Sequence, residues 1–182
     1  MAAQIKTFIK HLWLDADDTS RLVPPAVLAR LASRVASSEQ RHSGQIRICI
    51  EASLPLSYLW RVGPARSLQQ VIRDRALMMF GKLGVWDTGH NNGVLIYLLL
   101  AEHAIEIVAD RGLATHISNA HWTELVAHMS DAFRAKAYED GLTRALDEVS
   151  LKLERHFPLL SADGLPANSR HPNELPDTPA LF

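Results

Sequence analysis

The chain has a single cysteine, Cys49, among 182 residues. No intrachain disulfide can brace it, and a reducing compartment fits that usage. Long apolar runs are missing as well. The longest, Val94 to Ala101, falls far short of the roughly 20 residues a bilayer-spanning helix needs. Lys10, His11 and Asp15 interrupt any apolar core of a secretory signal, so a cytoplasmic location is the expectation. There is no basic surplus: 19 Lys and Arg stand against 20 Asp and Glu. A phosphate-binding surface normally leaves such a surplus, so no nucleic-acid partner is expected. Also absent are G-x-S-x-G, a Walker loop, G-x-G-x-x-G, C-x-x-C and H-E-x-x-H, which removes the chemistries those motifs serve. The nine histidines are scattered. His121 and His128 share a helical face, but without a third ligand an exposed, unpaired placement outweighs a zinc pair.

What is present reads as one ordinary α/β domain. Ile5, Phe8, Ile9 and Leu12 recur at helical spacing, predicting a short amphipathic helix that docks on the domain or lies at a membrane surface. Asp15, Asp17 and Asp18 follow as an acidic connector. Pro24 and Pro25 open a helix striped by Leu28, Leu31 and Val35 and ended by Gly44. Gln45 to Glu51 alternates, predicting a strand with one face buried. Residues 53–64 form a connector, and Leu68, Ile72, Ala76, Met79 and Leu83 stripe a crossover helix over residues 65–83. Strand, helix and strand imply a right-handed parallel βαβ unit. Apolar strands from Val94 and Ile105 predict an antiparallel hairpin, followed by two helices striped by Trp122 to Phe133 and by Leu142 to Phe157. The divisions are an N-terminal helix and connector over residues 1–22, the domain over 23–157, and a flexible, proline-rich tail over 158–182.

The chain is organised around W-D-T-G-H-N-N-G-V-L-I-Y-L-L-L-A-E-H-A-I-E-I-V-A-D-R-G, residues 86–112. A hairpin would return Asp110 to the neighbourhood of Asp87, Asn91 and Asn92. Carboxylate and amide oxygens together are the donor set that hard cations take. His90 is a ligand, a proton donor or simply exposed. The bland reading stands beside this one, because Asn-Asn-Gly and Asp-Arg-Gly are both good turn chemistry.

W-D-T-G-H-N-N-G-V-L-I, followed by I-E-I-V-A-D-R-G, resembles the TPM domain family. The likeness extends from the Pro24 helix through S-G-Q-I-R-I and F-R-A-K-A-Y-E-D-G-L to about Phe157. The resemblance implies an α/β sandwich, a small mixed sheet with helices on both faces. It also implies a divalent cation, Ca²⁺ or Mg²⁺, among Asp87, Asn91, Asn92 and Asp110. The expected role is binding or regulation linked to membrane or envelope protein assembly, through an unknown and membrane-associated protein partner. Acid-phosphatase activity of plant members supplies the enzymatic alternative, a metal-dependent phosphomonoesterase with His90 or Arg111 near the phosphate. A scaffold without a chemical site is the third reading. Two features depart from the family pattern. Many relatives carry a signal sequence and membrane anchor, and many read V-G-x-G where this chain has A-D-R-G, which makes Asp110 a subgroup feature.

Overall fold

The computed structural model describes residue 11 and residues 16–159 and 173–182, with backbone alone at 16–18, 119 and 128–131. Of the expected amphipathic helix striped by Ile5, Phe8, Ile9 and Leu12, only the buried His11 is among these residues, and all four stripe residues lie outside them. Asp17 and Asp18, expected in a connector, belong instead to helix α1, Ala16–Leu22. Helix α2, Pro25–Glu39, starts at its proline pair and buries Leu31, Val35 and Ser38. Strand β1, Ile46–Glu51, leads to a short helix α3, Leu56–Leu59, inside the expected connector.

The crossover helix α4 spans Leu68–Lys82. Its start is set by a capping box, in which Ser67 Oγ accepts the Gln70 N–H and the Gln70 side chain accepts the Ser67 N–H. Gly84 follows its end at φ +69°, a left-handed conformation that glycine adopts without a Cβ penalty. Strand β2, Val94–Leu99, turns through Leu100–Glu102 into β3, Ala104–Ala109. Helices α5, Arg111–Ala114, α6, Asn119–Arg134, and α7, Tyr138–His156, follow. Strand β4 is Ala180–Leu181.

The sheet runs β3-β2-β1-β4. β1 and β2 are parallel, Ile46 opposite Val94, as a crossover helix requires. β2 and β3 are antiparallel, Val94 opposite Ala109. One face carries Ile46, Ile48, Ile50, Ile96 and Ile107 against Leu31, Trp122, Phe133 and Leu146 from α2, α6 and α7. The other carries Cys49, Leu95, Tyr97 and Val108 against Val71, Ile72, Ala76 and Met79 of α4. The fold is therefore the expected α/β sandwich, a mixed sheet between helices. Among the described residues, no helix is long and apolar enough to cross a membrane.

Two further expectations are corrected. All six residues of β1 are buried, so both of its faces are covered rather than one. The polar face is satisfied internally: Glu51 accepts from Arg75 and from the Tyr97 hydroxyl at 2.6 Å, and Arg47 donates to the carbonyls of Pro176 and Thr178. Residues 173–182, expected as part of a flexible tail, return to the sheet. Gln45 Oε1 accepts the N–H groups of Glu174 and Leu175, at 2.9 and 3.1 Å. Cys49 then pairs with Ala180 and Ile50 with Leu181. Prolines at 176 and 179 suit an edge segment, because the missing N–H need not serve a ladder.

Candidate functional site

The loop between α4 and β2 reaches the same sheet end as the start of α5. The Asp110 N–H donates to the Gly93 carbonyl at 2.9 Å, one step past the Val94–Ala109 pair. The hairpin thus brings Asp110 back to the loop. Close backbone approaches require glycine on both sides. A Cβ on Gly93 would lie 2.0 Å from the Val85 carbonyl oxygen, and one on Gly112 would lie 2.5 Å from that of Asn91.

Asp110 is 8% exposed. Its Oδ1 caps α5 by accepting the Arg111 N–H at 2.7 Å. Its Oδ2 is buried and has no hydrogen-bond partner among the described residues. Asn91 sits at φ +51°, within the left-handed region that asparagine tolerates. Its carbonyl accepts the Gly112 N–H at 2.8 Å. Its side-chain oxygen accepts from Arg111 Nη2 at 2.6 Å and Nε at 3.0 Å. This double contact ties the loop to the α5 corner.

Asn92 is 1% exposed and knits the loop together. Its N–H donates to Thr88 Oγ1 at 3.1 Å, the same hydroxyl donates to its Oδ1 at 3.4 Å, and its Nδ2 donates to Ser43 Oγ at 3.3 Å. Asp87 is exposed, with its N–H on the Gly84 carbonyl at 3.0 Å. His90 is also exposed. The tail closes over the loop from outside, since the Gly89 N–H donates to Glu174 Oε2 at 2.8 Å.

The sequence singled out Asp87, His90, Asn91, Asn92, Asp110 and Arg111 and missed Ser43, Thr88 and Glu174. Thr88 was legible in W-D-T-G as a small hydroxyl four residues before a buried asparagine. Glu174 was not, because it reaches the loop only through the returning tail. Among the described residues no group of three or more His, Cys, Asp or Glu side chains could hold a metal ion. A cation here must therefore take neutral oxygens beside its carboxylates. The zinc alternative gains nothing: His116 stacks on His156 with centroids 4.5 Å apart, His121 lies edge-on to Trp122, and the His128 side chain is outside the described set.

Fold and motif define a TPM-type α/β domain, and comparison with known proteins agrees. A family model described as TPM domain matches residues 17–151. The chain belongs to the TPM domain family. No curated protein matches it. Among solved structures it is similar to the BA42 protein of the psychrophilic bacterium Bizionia argentinensis, determined by NMR. That pair shares 21% identity over 88% of this chain and 95% of the other, with a TM-score of 0.67. It is also similar to the N-terminal domain of a P. gingivalis protein, at 18% identity over 75% of this chain and 79% of that one, with a TM-score of 0.57. At these identities the likeness shows a common fold.

Proposed function

We propose that this TPM domain is a binding or regulatory module that takes a divalent cation, Ca²⁺ or Mg²⁺, at the Asp110 end of the sheet. The observation that carries the reading is Asp110 Oδ2, a buried carboxylate oxygen without a hydrogen-bond donor. Leaving such an atom unmatched costs about 1–3 kcal/mol or more. A hard cation is the natural partner of a carboxylate that already spends its other oxygen on a helix cap.

Asp87, exposed on the same loop, supplies the second charge. The amide oxygens of Asn91 and Asn92 join only by giving up Arg111 and Thr88, so water fills most of the remaining positions. Two carboxylates and few neutral ligands put the affinity at about 10⁻⁴ to 10⁻³ M. Phosphomonoester hydrolysis at these residues is the weaker reading, because Asn91 already engages the Arg111 guanidinium through two N–H groups.

Isothermal titration calorimetry with CaCl₂ and MgCl₂ tests the site. Asp110→Asn keeps an oxygen for the Arg111 N–H but loses the charge, and is expected to weaken binding at least tenfold. Asp87→Asn is expected to weaken it less, because an exposed carboxylate is already hydrated. Unchanged affinity in both variants removes the assignment.

A further inference from the structure

The end of the sheet opposite the Asp110 loop, where Glu51 pairs with Leu99, carries the short helix α3. Tyr58 and Leu59 of that turn are buried in the core beneath it. Leu56 and Trp60 are not: they are 50% and 79% exposed, and Trp60 is the most exposed large apolar side chain among the described residues. The Trp60 N–H donates to the Leu56 carbonyl at 3.1 Å, so the two residues lie one turn apart on the same side.

The start of the chain is fastened to this same end. His11 Nδ1 accepts the Leu54 N–H at 2.9 Å, two residues before α3, and its Nε2 lies 3.1 Å from Glu102 Oε1. Two stretches of sequence far apart along the chain are thereby joined, and they share a composition. Residues 1–14 and 52–67 contain Lys6, Lys10, Arg61 and Arg66 and no Asp or Glu, in a chain where acidic residues slightly outnumber basic ones. Their apolar residues include Ile5, Phe8, Ile9 and Leu12 at helical spacing, beside Leu56 and Trp60.

The acidic groups near this end are engaged. Glu51 is buried against Arg75, Glu102 faces His11, and Asp74 pairs with Arg66 at 2.9 Å. The Arg61 guanidinium lies over the Tyr58 ring, 4.2 Å from its centre.

Single exposed apolar residues are ordinary, but an exposed tryptophan among cations, next to a basic amphipathic segment, is the composition of an interfacial anchor. A protein partner would have to supply a pocket shaped for Trp60. A bilayer interface accepts a projecting indole of any shape, and anionic headgroups balance the cations. We propose that the Leu56–Trp60 turn and the N-terminal segment dock this domain on an anionic lipid surface. The Trp60 indole sits at headgroup level, with Lys6, Lys10, Arg61 and Arg66 against the lipid phosphates. This surface is separate from the cation site, which lies at the other end of the strands.

Co-sedimentation of the full chain with vesicles tests the proposal, in EDTA so that no divalent cation bridges protein to lipid. Wild type is expected to pellet with vesicles of phosphatidylcholine and phosphatidylglycerol in equal parts. Partitioning onto phosphatidylcholine alone is expected to be weaker by about tenfold or more. Combining Leu56→Ser with Trp60→Ser, both at exposed positions, is expected to cut partitioning onto the mixed vesicles by about fivefold or more. Lys6→Gln with Lys10→Gln is expected to cut it by about tenfold. Failure of wild type to sediment with the mixed vesicles, or equal sedimentation with both kinds, overturns the proposal, and neither result depends on a variant. Wild-type partitioning of the Leu56→Ser, Trp60→Ser chain overturns it as well and leaves the turn to a protein partner.

Discussion

At the scale of single residues, Asp110 divides its two oxygens between a helix cap and an unmatched buried position, and that division makes the loop a candidate site. Gly93 shows the same economy in the backbone. The Val85 carbonyl occupies the space where a Cβ would sit, so Gly93→Ala must move the loop. A loss of about 2–3 kcal/mol is expected in urea unfolding, and a loss within 0.5 kcal/mol would contradict this crowding.

Two titrating side chains act on stability in opposite directions. Burial lowers the His42 pKa from 6.5 to about 4, with its ring nitrogens facing Ser38 Oγ and the Gly44 carbonyl. The unfolded chain takes up a proton that the folded chain refuses. His42 therefore contributes fully above pH 6.5, and its contribution is lost as pH falls towards 4, by about 3 kcal/mol. Burial raises Glu39 from 4.5 to about 8, offset in part by the Ile46 N–H bond and reinforced by Asp177. Its contribution is present below pH 4.5 and is lost as pH rises through 8. Glu39→Gln, which keeps an acceptor for Ile46, is expected to unfold at higher urea than wild type at pH 8 and at a similar concentration at pH 4.5. Equal midpoints at pH 8 would contradict the assignment.

At the scale of elements, the crossover helix and the hairpin were legible because their signals are local. Apolar residues at helical spacing gave α4, and an unbroken apolar run gave a central β2 covered on both faces. The F-R-x-x-x-Y-x-x-G-L element also has a local reason. The Phe133 ring lies where a Cβ on Gly141 would be, 2.5 Å away, so α6 and α7 can close only over glycine. Residues 173–182 differ from the expectation because low periodicity and five prolines after Phe157 are the composition of a mobile segment. Residues 173–182 are held by side chains far away in the chain, Gln45, Arg47 and Lys82, the last lying 4.3 Å from the Phe182 ring centre. Deleting residues 173–182 uncovers the β1 edge, removes buried Leu175 and leaves Arg47 without its two carbonyls. A destabilisation of about 3 kcal/mol or more is expected, together with faster amide exchange at Gly89. Unchanged exchange there would mean that Glu174 does not hold the loop.

At the scale of the whole molecule, the two apolar clusters are not independent. β1 and β2 send alternate residues into each, Ile48 and Ile96 to one face and Cys49 and Tyr97 to the other. Neither layer of helices keeps its core if the sheet opens. Differential scanning calorimetry is expected to give one transition, with van't Hoff and calorimetric enthalpies agreeing within error. Two resolved transitions would mean that the faces unfold separately.

The sequence by itself determined the order of the main helices and of strands β1 to β3, the parallel and antiparallel pairings among those strands, and the meeting of Asp110 with the 87–93 loop. Each follows from short-range periodicity, turn chemistry or the handedness of a crossover, which a few neighbouring residues specify. Tertiary structure decided which oxygens of that loop are already spent, what covers the second face of β1, and that residues 173–182 complete the sheet. These depend on hydrogen bonds between side chains and backbone groups as many as 131 positions apart, such as Arg47 with Thr178. No local pattern encodes a partner at that distance; only the folded backbone brings the two together.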